Sequence, residues 1–223
     1  MNIIKYNSDE FLNLGNSLNE LLPRNPLIAF CGGRTILKIL EPVKNHLTSS
    51  KNSTISSATF IMIDERLVAL NDPDSNFKLI ADEFFTPLSN ELKNGSIKPF
   101  ETTSIAESIS NYSSEIEKHN GSIDLTILGV GEDGHIAGLF PEHRWPSDAS
   151  FFTFSDSPKP PSDRMSATPG TIENSKTIIL AFLGEGKREA WERFLENKES
   201  TNTLPCLLCR SAENLIVVTD LID

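Results

Sequence analysis

The stretch Ile123–Pro141, IDLTILGVGEDGHIAGLFP, is the most informative segment of the sequence about the fold. It begins with a short apolar run, typical of a strand that is covered on both faces, and continues directly into a turn with glycine at positions 129, 131 and 134. Glycine permits positive φ angles and a close approach of a ligand to the backbone. A buried strand with such an ending predicts a parallel sheet whose ligands bind at the carboxyl ends of its strands.

Asp133 and His135 stand two residues apart within this turn. A histidine accepts a proton near neutral pH, and a neighbouring carboxylate can select its tautomer and stabilise the imidazolium. The same two residue types also occur in turns where they only cap the following helix. The spacing alone is therefore compatible with both a catalytic pair and a capping turn.

On both sides of this stretch, short apolar runs alternate with amphipathic segments, which is typical of βαβ units. The predicted strands are Pro26–Cys31, Ala58–Ile63, Ile123–Val130, Thr177–Leu183 and Leu215–Thr219. One helix is predicted after Ser8, one after Ser104, which has capping-box spacing to Glu107, and one within Gly186–Glu196. The pattern predicts a single three-layer α/β domain over residues 1–223 with a mostly parallel sheet.

The segment Phe140–Pro169 departs from this alternation because it contains prolines at positions 141, 146, 158, 160, 161 and 169. Proline is excluded from helix interiors and from central strands. We therefore expect a long surface excursion over about residues 140–169, of the kind that often serves as a lid or a binding loop.

Three further predicted strands end in residues suited to binding an anion. The first ends in CGGRT, where the backbone N–H groups near Gly33, together with Arg34 and Thr35, can hold a phosphate. The second ends in Asp64-Glu65-Arg66, in which either carboxylate can orient the arginine. Lys187 follows the fourth strand in GEGK, and Arg164 lies in the proline-rich segment.

Each of these motifs has an alternative explanation when it is taken alone. CGGRT also fits a tight strand-to-helix turn, and Asp64-Glu65-Arg66 also fits a surface ion-pair cluster. A lysine in the position of Lys187 is more often a solvated residue of a first helical turn. Four strand ends of this kind converge at one edge of a parallel sheet, and their coincidence predicts a single pocket for a phosphate ester. No histidine, cysteine or carboxylate set has the spacing of metal ligands, so we expect neither a metal nor a cofactor.

The composition restricts the class of partner. With 31 acidic and 20 basic side chains the net charge is −11, which disfavours general binding of nucleic acid or of an anionic membrane. A few converging cations still suffice for a small phosphate. No apolar run has membrane-spanning length, no secretory signal is visible, and the three cysteines form no disulfide framework, so a cytoplasmic location is expected.

Five motifs occur in the order seen in 6-phosphogluconolactonases: GGRT, IDERLV with a following SN, GVGEDGHIAGLFP, PKPPSDRMSATP and GEGK. The chain resembles that family over roughly residues 27–193, and the glycine-rich stretch is the most specific part of the resemblance. The family belongs with glucosamine-6-phosphate deaminases and ribose-5-phosphate isomerases to a broad group of Rossmann-like α/β/α folds.

The resemblance implies hydrolysis of 6-phospho-D-glucono-1,5-lactone in the pentose phosphate pathway. His135 would be the general base that activates water, and Asp133 would orient it. Arg66 would stabilise negative charge on the substrate or the intermediate. The implied phosphate ligands are Gly33, Arg34, Thr35, Arg164 and Lys187. The expected partner is the small sugar phosphate lactone, with no nucleic acid or membrane, and the expected state is a monomer or a weak homodimer.

The chain departs from the family pattern at three positions, which concern the phosphate loop more than the reaction. Ile36 stands where proline is usual, and Gly138 stands where serine is usual. Leu67 stands directly after Asp64-Glu65-Arg66, where the family often has an aromatic residue. Glucosamine-6-phosphate deaminases carry a glutamate where Phe140 stands here, which disfavours that activity. A sugar-phosphate sensor without turnover is the other alternative. It is disfavoured because no basic patch and no spare segment of about 60 residues is visible for a DNA-binding module.

Overall fold

The buried strand of the Ile123–Pro141 stretch forms at Leu125–Gly129 in a computed structural model, which describes residues 1–222. Within these residues the strands β1 to β10 are, in chain order, Asn2–Lys5, Leu27–Phe30, Thr59–Met62, Asp64–Arg66, Ser96–Ile97, Leu125–Gly129, Phe151–Phe154, Arg164–Ala167, Thr177–Phe182 and Asn214–Thr219. The α-helices α1 to α7 are Asp9–Leu12, Leu14–Leu21, Arg34–Ser49, Asn76–Ile80, Ile105–Lys118, Pro169–Glu173 and Arg188–Glu196. Short 3₁₀ turns cover Thr54–Ser57, Glu185–Lys187 and Pro205–Ser211, and a π turn, Ala81–Phe85, continues α4.

The main sheet is parallel throughout and has the strand order β1-β10-β9-β6-β2-β3-β5. The five predicted strands are its five central strands, so the predicted α/β class and mostly parallel sheet are confirmed. The edge strands β1 and β5 were not predicted, because NIIK is largely exposed and SI is exposed at both residues. An edge strand lacks the continuous burial that makes a central strand visible in a sequence.

The chain direction across the sheet reverses between β2 and β6. From β2 the chain moves to β3 and β5, whereas from β6 it moves to β9 and β10 on the other side. Because βαβ crossovers are right-handed, the reversal places the connecting helices of the two halves on opposite faces of the sheet. A crevice therefore opens beyond the carboxyl ends of β2 and β6, where open α/β sheets bind their ligands.

A second, antiparallel sheet has the order β4-β8-β7 and stands at the edge of this crevice. It takes two strands from the proline-rich segment, so the expectation of a surface excursion throughout residues 140–169 is wrong. All four residues of Arg164–Ala167 are buried. No proline lies within β7 or β8, and Pro158, Pro160 and Pro161 all fall in the loop between them, where a missing N–H costs no ladder bond.

The helix predictions are confirmed in position but differ in detail. Ser8 caps α1 through its hydroxyl, which accepts from the Phe11 N–H at 3.2 Å, but the helix is interrupted at Asn13. Ser104 precedes α5 without a side-chain capping bond, so the predicted capping box is wrong. The last predicted helix begins at Arg188 because residues 185–187 form a 3₁₀ turn. No helix within residues 1–222 has both the length and the apolar character to cross a membrane.

Candidate active site

A cavity of about 200 Å³ lies at the carboxyl ends of β2, β3 and β6, at the point where the chain direction reverses. The structure brings six of the predicted site residues to its wall: Gly33, Thr35, Arg66, His135, Arg164 and Lys187. The loops after β2 and β6 form one side, and the short β4-β8-β7 sheet forms the other, with Arg66 and Arg164 opposite each other in the β4–β8 register. The cavity thus combines one imidazole with several cations.

His135 and Asp133 form a hydrogen-bonded pair in the turn after β6. The Nδ1 atom of His135 bonds to Oδ1 of Asp133, which also accepts the His135 backbone N–H at 3.3 Å. Because a carboxylate only accepts, we assign the ring proton to Nδ1, which leaves Nε2 able to accept a proton. Partial burial raises the pKa of Asp133, but the hydrogen bond and charge of His135 outweigh this and hold that pKa well below its usual range.

Gly131 is required for this pair. A Cβ atom at Gly131 would lie 1.9 Å from Nδ1 of His135 and 2.5 Å from Oδ1 of Asp133, which no side chain can tolerate. The Gly131 N–H also donates to the His135 carbonyl at 2.8 Å and so closes the turn. The ring of Phe140 packs against the imidazole with its centroid 4.7 Å away. The glycine-rich turn therefore holds the histidine in one orientation.

Arg66 is positioned by a backbone carbonyl rather than by a carboxylate. Its guanidinium donates to the Asp74 carbonyl at 2.6 Å, and its Nε is buried without a partner. Within residues 1–222 no hydrogen bond or ion pair joins the guanidinium to Asp64 or Glu65, so the expected orienting role of these carboxylates is wrong. Glu65 instead accepts the backbone N–H groups of Asn76 and Phe77, each at 2.7 Å. It therefore fixes the start of α4 against β4.

Arg164 is buried and holds the loop that precedes β8. Its Nε donates to the Pro161 carbonyl at 3.1 Å, and its Nη2 donates to the carbonyls of Lys159 and Pro160 at 3.1 and 3.3 Å. Burial lowers the pKa of this guanidinium, and the nearby Asp64 carboxylate opposes the shift. Arg164 thus lines the cavity and at the same time shapes the proline-rich loop beside it.

Lys187 and Thr35 reach the cavity wall, whereas Arg34 does not. Burial lowers the pKa of Lys187, and the Glu132 carboxylate opposes that shift. Gly33, with φ of 97°, makes the turn into α3, and Arg34 is its first residue. Successive helical residues point about 100° apart, so Thr35 faces the cavity and Arg34 is exposed to solvent. Arg34 therefore lies outside the cavity wall, and its role as a phosphate ligand stays a prediction.

Among the wall residues that were not predicted as site residues, Asp64 and Asn76 carry oxygen-containing polar side chains. The Asn76 amide donates to the backbone carbonyl of Asp64 and to its Oδ2, both at 3.0 Å. The position of Asp64 directly after a buried strand was the available signal, since such residues lie at the carboxyl edge of the sheet. Asn76 belongs to the SN motif and begins α4, and no local pattern indicates that its side chain returns to β4. Within residues 1–222 no cluster of histidine, cysteine or acidic residues is suited to hold a metal ion.

Comparisons with known proteins find relatives along most of the chain. The family model described as glucosamine-6-phosphate isomerases/6-phosphogluconolactonase matches residues 20–217. The chain is 34% identical over 222 residues to the 6-phosphogluconolactonase of Borreliella burgdorferi, covering 97% of this chain and 92% of the relative. It is 29% identical over 189 residues to the 6-phosphogluconolactonase of Homo sapiens, covering 81% and 72%.

Solved structures share the fold over the whole chain. The 6-phosphogluconolactonase of Thermotoga maritima superposes with a TM-score of 0.79 at 22% identity, covering 98% of both chains. A monomeric glucosamine-6-phosphate deaminase superposes with a TM-score of 0.77 at 19% identity, covering 98% of this chain and 97% of that one. Enzymes that are named for two different reactions therefore share this architecture.

Proposed function

The chain belongs to the glucosamine-6-phosphate isomerase and 6-phosphogluconolactonase family, and on this premise we propose that it hydrolyses 6-phospho-D-glucono-1,5-lactone to 6-phospho-D-gluconate. It would then be a carboxylic ester hydrolase of the oxidative pentose phosphate pathway, acting in the cytoplasm as a single domain over residues 1–223. The observation that carries this proposal is the His135–Asp133 pair, held at the wall of a cavity that is also lined by Arg66, Arg164 and Lys187.

A lactone is an activated ester, so one positioned base and one anion-stabilising donor suffice. In the proposed reaction Nε2 of His135 takes a proton from water as the water oxygen bonds to the lactone carbonyl carbon. Arg66 stabilises the resulting oxyanion through its guanidinium, which carries the positive charge at this part of the cavity wall. The bond from this carbon to the ring oxygen then breaks, and the imidazolium of His135 returns its proton to that oxygen. Asp133 keeps the imidazole in the required tautomer.

The phosphate of the substrate would bind where the loop after β2 meets Lys187. Gly33 and Thr35 line the wall at the start of α3, where backbone N–H groups are unpaired by the helix. Lys187, which follows β9, and Arg164, the first residue of β8, supply positive charge to the cavity wall. Arg34 is not part of the proposed contact set because it is exposed outside the cavity.

Deamination of glucosamine 6-phosphate is the alternative activity on this fold. The glutamate of that enzyme class would stand at position 140, where Phe140 is buried beside the histidine. An apolar ring supplies no proton for opening an amino sugar, so the lactonase reaction is the better match to these residues.

The test is hydrolysis of freshly generated 6-phosphogluconolactone, corrected for spontaneous ring opening, by the wild type, His135→Ala and His143→Ala. His143 is the matched control because it follows the same stretch but is not part of the cavity wall. Ammonia release from glucosamine 6-phosphate is measured in parallel. Lactone hydrolysis that is lost only in His135→Ala supports the proposal. Ammonia release, or sugar phosphate binding without lactone hydrolysis, would contradict it.

A further inference from the structure

Three buried polar atoms without a hydrogen-bond partner belong to residues of the one cavity: Oδ1 of Asp64, Nε of Arg66 and Oδ1 of Asn76. A buried polar group without a partner costs free energy, and native proteins rarely leave such groups together. The Arg66 donor already has a role in the proposed reaction. The two acceptor oxygens have none, and their side chains are only 5% and 1% exposed.

The orientation of Asn76 follows from its bonds. Its Nδ2 group contacts two acceptors, the carbonyl and Oδ2 of Asp64, so the amide nitrogen must face them and the amide oxygen must point away. That oxygen packs against Gly32, where a Cβ atom would lie 1.8 Å from it. Asn76 therefore holds one oxygen of the Asp64 carboxylate and leaves the other, Oδ1, unpaired.

The surroundings of Asp64 favour a neutral hydrogen-bond donor as its missing partner. Burial raises the pKa of Asp64, while the charges of Arg66 and Arg164 oppose that shift. The same two guanidinium groups would repel a cation that approached the carboxylate. A hydroxyl group is neutral, donates one hydrogen bond and occurs along the whole of a sugar.

We propose that Asp64 and Asn76 form a sugar-hydroxyl subsite, in which the Asp64 carboxylate at the cavity wall accepts a hydroxyl of the ligand and Asn76 is the positioning residue that orients the carboxylate. The identity of the ligand as a phosphorylated sugar acid or its lactone rests on the proposed function. The subsite distinguishes a polyol from a deoxygenated chain that carries the same two charged ends.

The test compares two ligands by calorimetry: 6-phosphogluconate, and 6-(phosphonooxy)hexanoate, which has the same chain and charges without the hydroxyls. The readout is the dissociation constant of 6-(phosphonooxy)hexanoate divided by that of 6-phosphogluconate. A change in the charge of the cavity acts on both ligands alike and leaves this ratio unchanged. We expect the wild type to prefer the hydroxylated ligand, and Asp64→Asn to reduce that ratio about ten-fold, since it replaces an acceptor by a donor. Asn76→Ala should reduce the ratio by a smaller factor, and Asn111→Ala, on the exposed face of α5, should leave it unchanged.

Thermal unfolding of the ligand-free proteins separates this role from a structural one. Asp64→Asn keeps the shape of the side chain and removes a buried charge, so its melting temperature should equal or exceed that of the wild type. A wild-type ratio near one, an unchanged ratio in Asp64→Asn, or an equal loss of both ligands would overturn the subsite. Wild-type protein that shows the ratio but does not hydrolyse the lactone would overturn the proposed function and leave the subsite standing.

Discussion

The two ends of the parallel sheet both bury an aspartate, but they treat it differently. At the amino end, Asp124 is 3% exposed and uses both oxygens: Oδ2 accepts the Leu27 N–H at 2.9 Å, and Oδ1 accepts Lys176 Nζ at 2.7 Å. At the carboxyl end, Asp64 is 5% exposed and one of its oxygens has no partner. We infer that the fully paired Asp124 serves the scaffold, whereas the incompletely paired Asp64 at the cavity wall serves the proposed subsite.

The cations follow the same division. At the amino end Lys118 pairs with Glu115 at 2.8 Å and Lys176 pairs with Asp124. At the carboxyl end Arg66 keeps a buried Nε without a partner, and Lys187 forms no ion pair within residues 1–222. A protein of net charge −11 thus keeps cations available at the single cavity where the strand ends converge. The comparison predicts that substitutions at the carboxyl end change activity and that those at the amino end change stability.

The largest expected effect is at His135. Replacement by alanine removes the proposed base, which is worth about 10²–10⁴-fold in rate. We expect kcat to fall by that factor while the dissociation constant of 6-phosphogluconate changes less than about three-fold, because the cations remain. Steady-state kinetics and calorimetry measure the two quantities. An equal loss of turnover and binding would make His135 a structural residue and would contradict the division between the two ends of the sheet.

The converse substitution is Asp124→Ala at the amino end. It leaves the buried Leu27 N–H without an acceptor and Lys176 without its ion pair, at a cost of about 2 kcal/mol in the free energy of unfolding. Urea unfolding measures that loss. The kcat per folded molecule should match the wild type, because this end does not contact the cavity. A loss of kcat at unchanged stability would contradict the division between the two ends.

A smaller effect is expected at Lys187. Its replacement by alanine removes one charge from the proposed phosphate site and should raise KM about ten-fold, with kcat reduced less than KM is raised. Lys198→Ala is the matched control, because Lys198 follows the opposite end of α7, is exposed and pairs with Glu196. An unchanged KM in Lys187→Ala would remove this residue from the phosphate site.

The smallest effect is the pH dependence of the His135–Asp133 pair. Because the folded state holds the pKa of Asp133 below its usual value of 3.8, the pair stabilises the fold at pH values above that figure. The contribution is lost as the pH falls below about 4 towards the folded pKa. Asp133 is 40% exposed, so solvent screening keeps it small. The stability difference between wild type and Asp133→Asn, from urea unfolding, should therefore shrink from pH 5 to pH 3.

The solvent-exposed Asp156→Asn serves as the control for that experiment, since its stability difference from the wild type should not vary with pH. A wild-type advantage over Asp133→Asn that grows as the pH falls from 5 to 3 would reverse the sign and refute the assignment of this pair.

The parts of the site that local sequence predicts are those built within one turn. Gly131, Asp133 and His135 lie within five residues, so the strand ending and the glycine spacing suffice to expect their contact. Gly33 and Thr35 belong to the same kind of strand-to-helix turn. Arg34 was expected beside Thr35 at the cavity wall but lies outside it. The residue types at a helix start do not indicate which of two neighbours faces inward.

The remainder depends on contacts between distant segments. Asn76 reaches Asp64 across 12 positions, and Glu65 reaches the backbone of Asn76 across 11. The expected link from these carboxylates to Arg66 is absent because Glu65 accepts backbone N–H groups at the start of α4, which have no acceptor within the helix, and Asp64 accepts the side-chain amide of Asn76. Burial in the second sheet likewise gives Arg164 three carbonyl partners that its place in a proline-rich segment did not indicate.

Local sequence patterns suffice to predict the five central strands, the glycine turns and six residues of the cavity wall. A strand covered on both faces must be apolar along its length, and a turn with positive φ favours glycine, so both leave local patterns. Only the tertiary structure decided which polar atoms are paired. Whether Asp124 is fully paired or Asp64 is left with an open oxygen depends on the groups that packing brings within 3 Å, and these come from elsewhere in the chain.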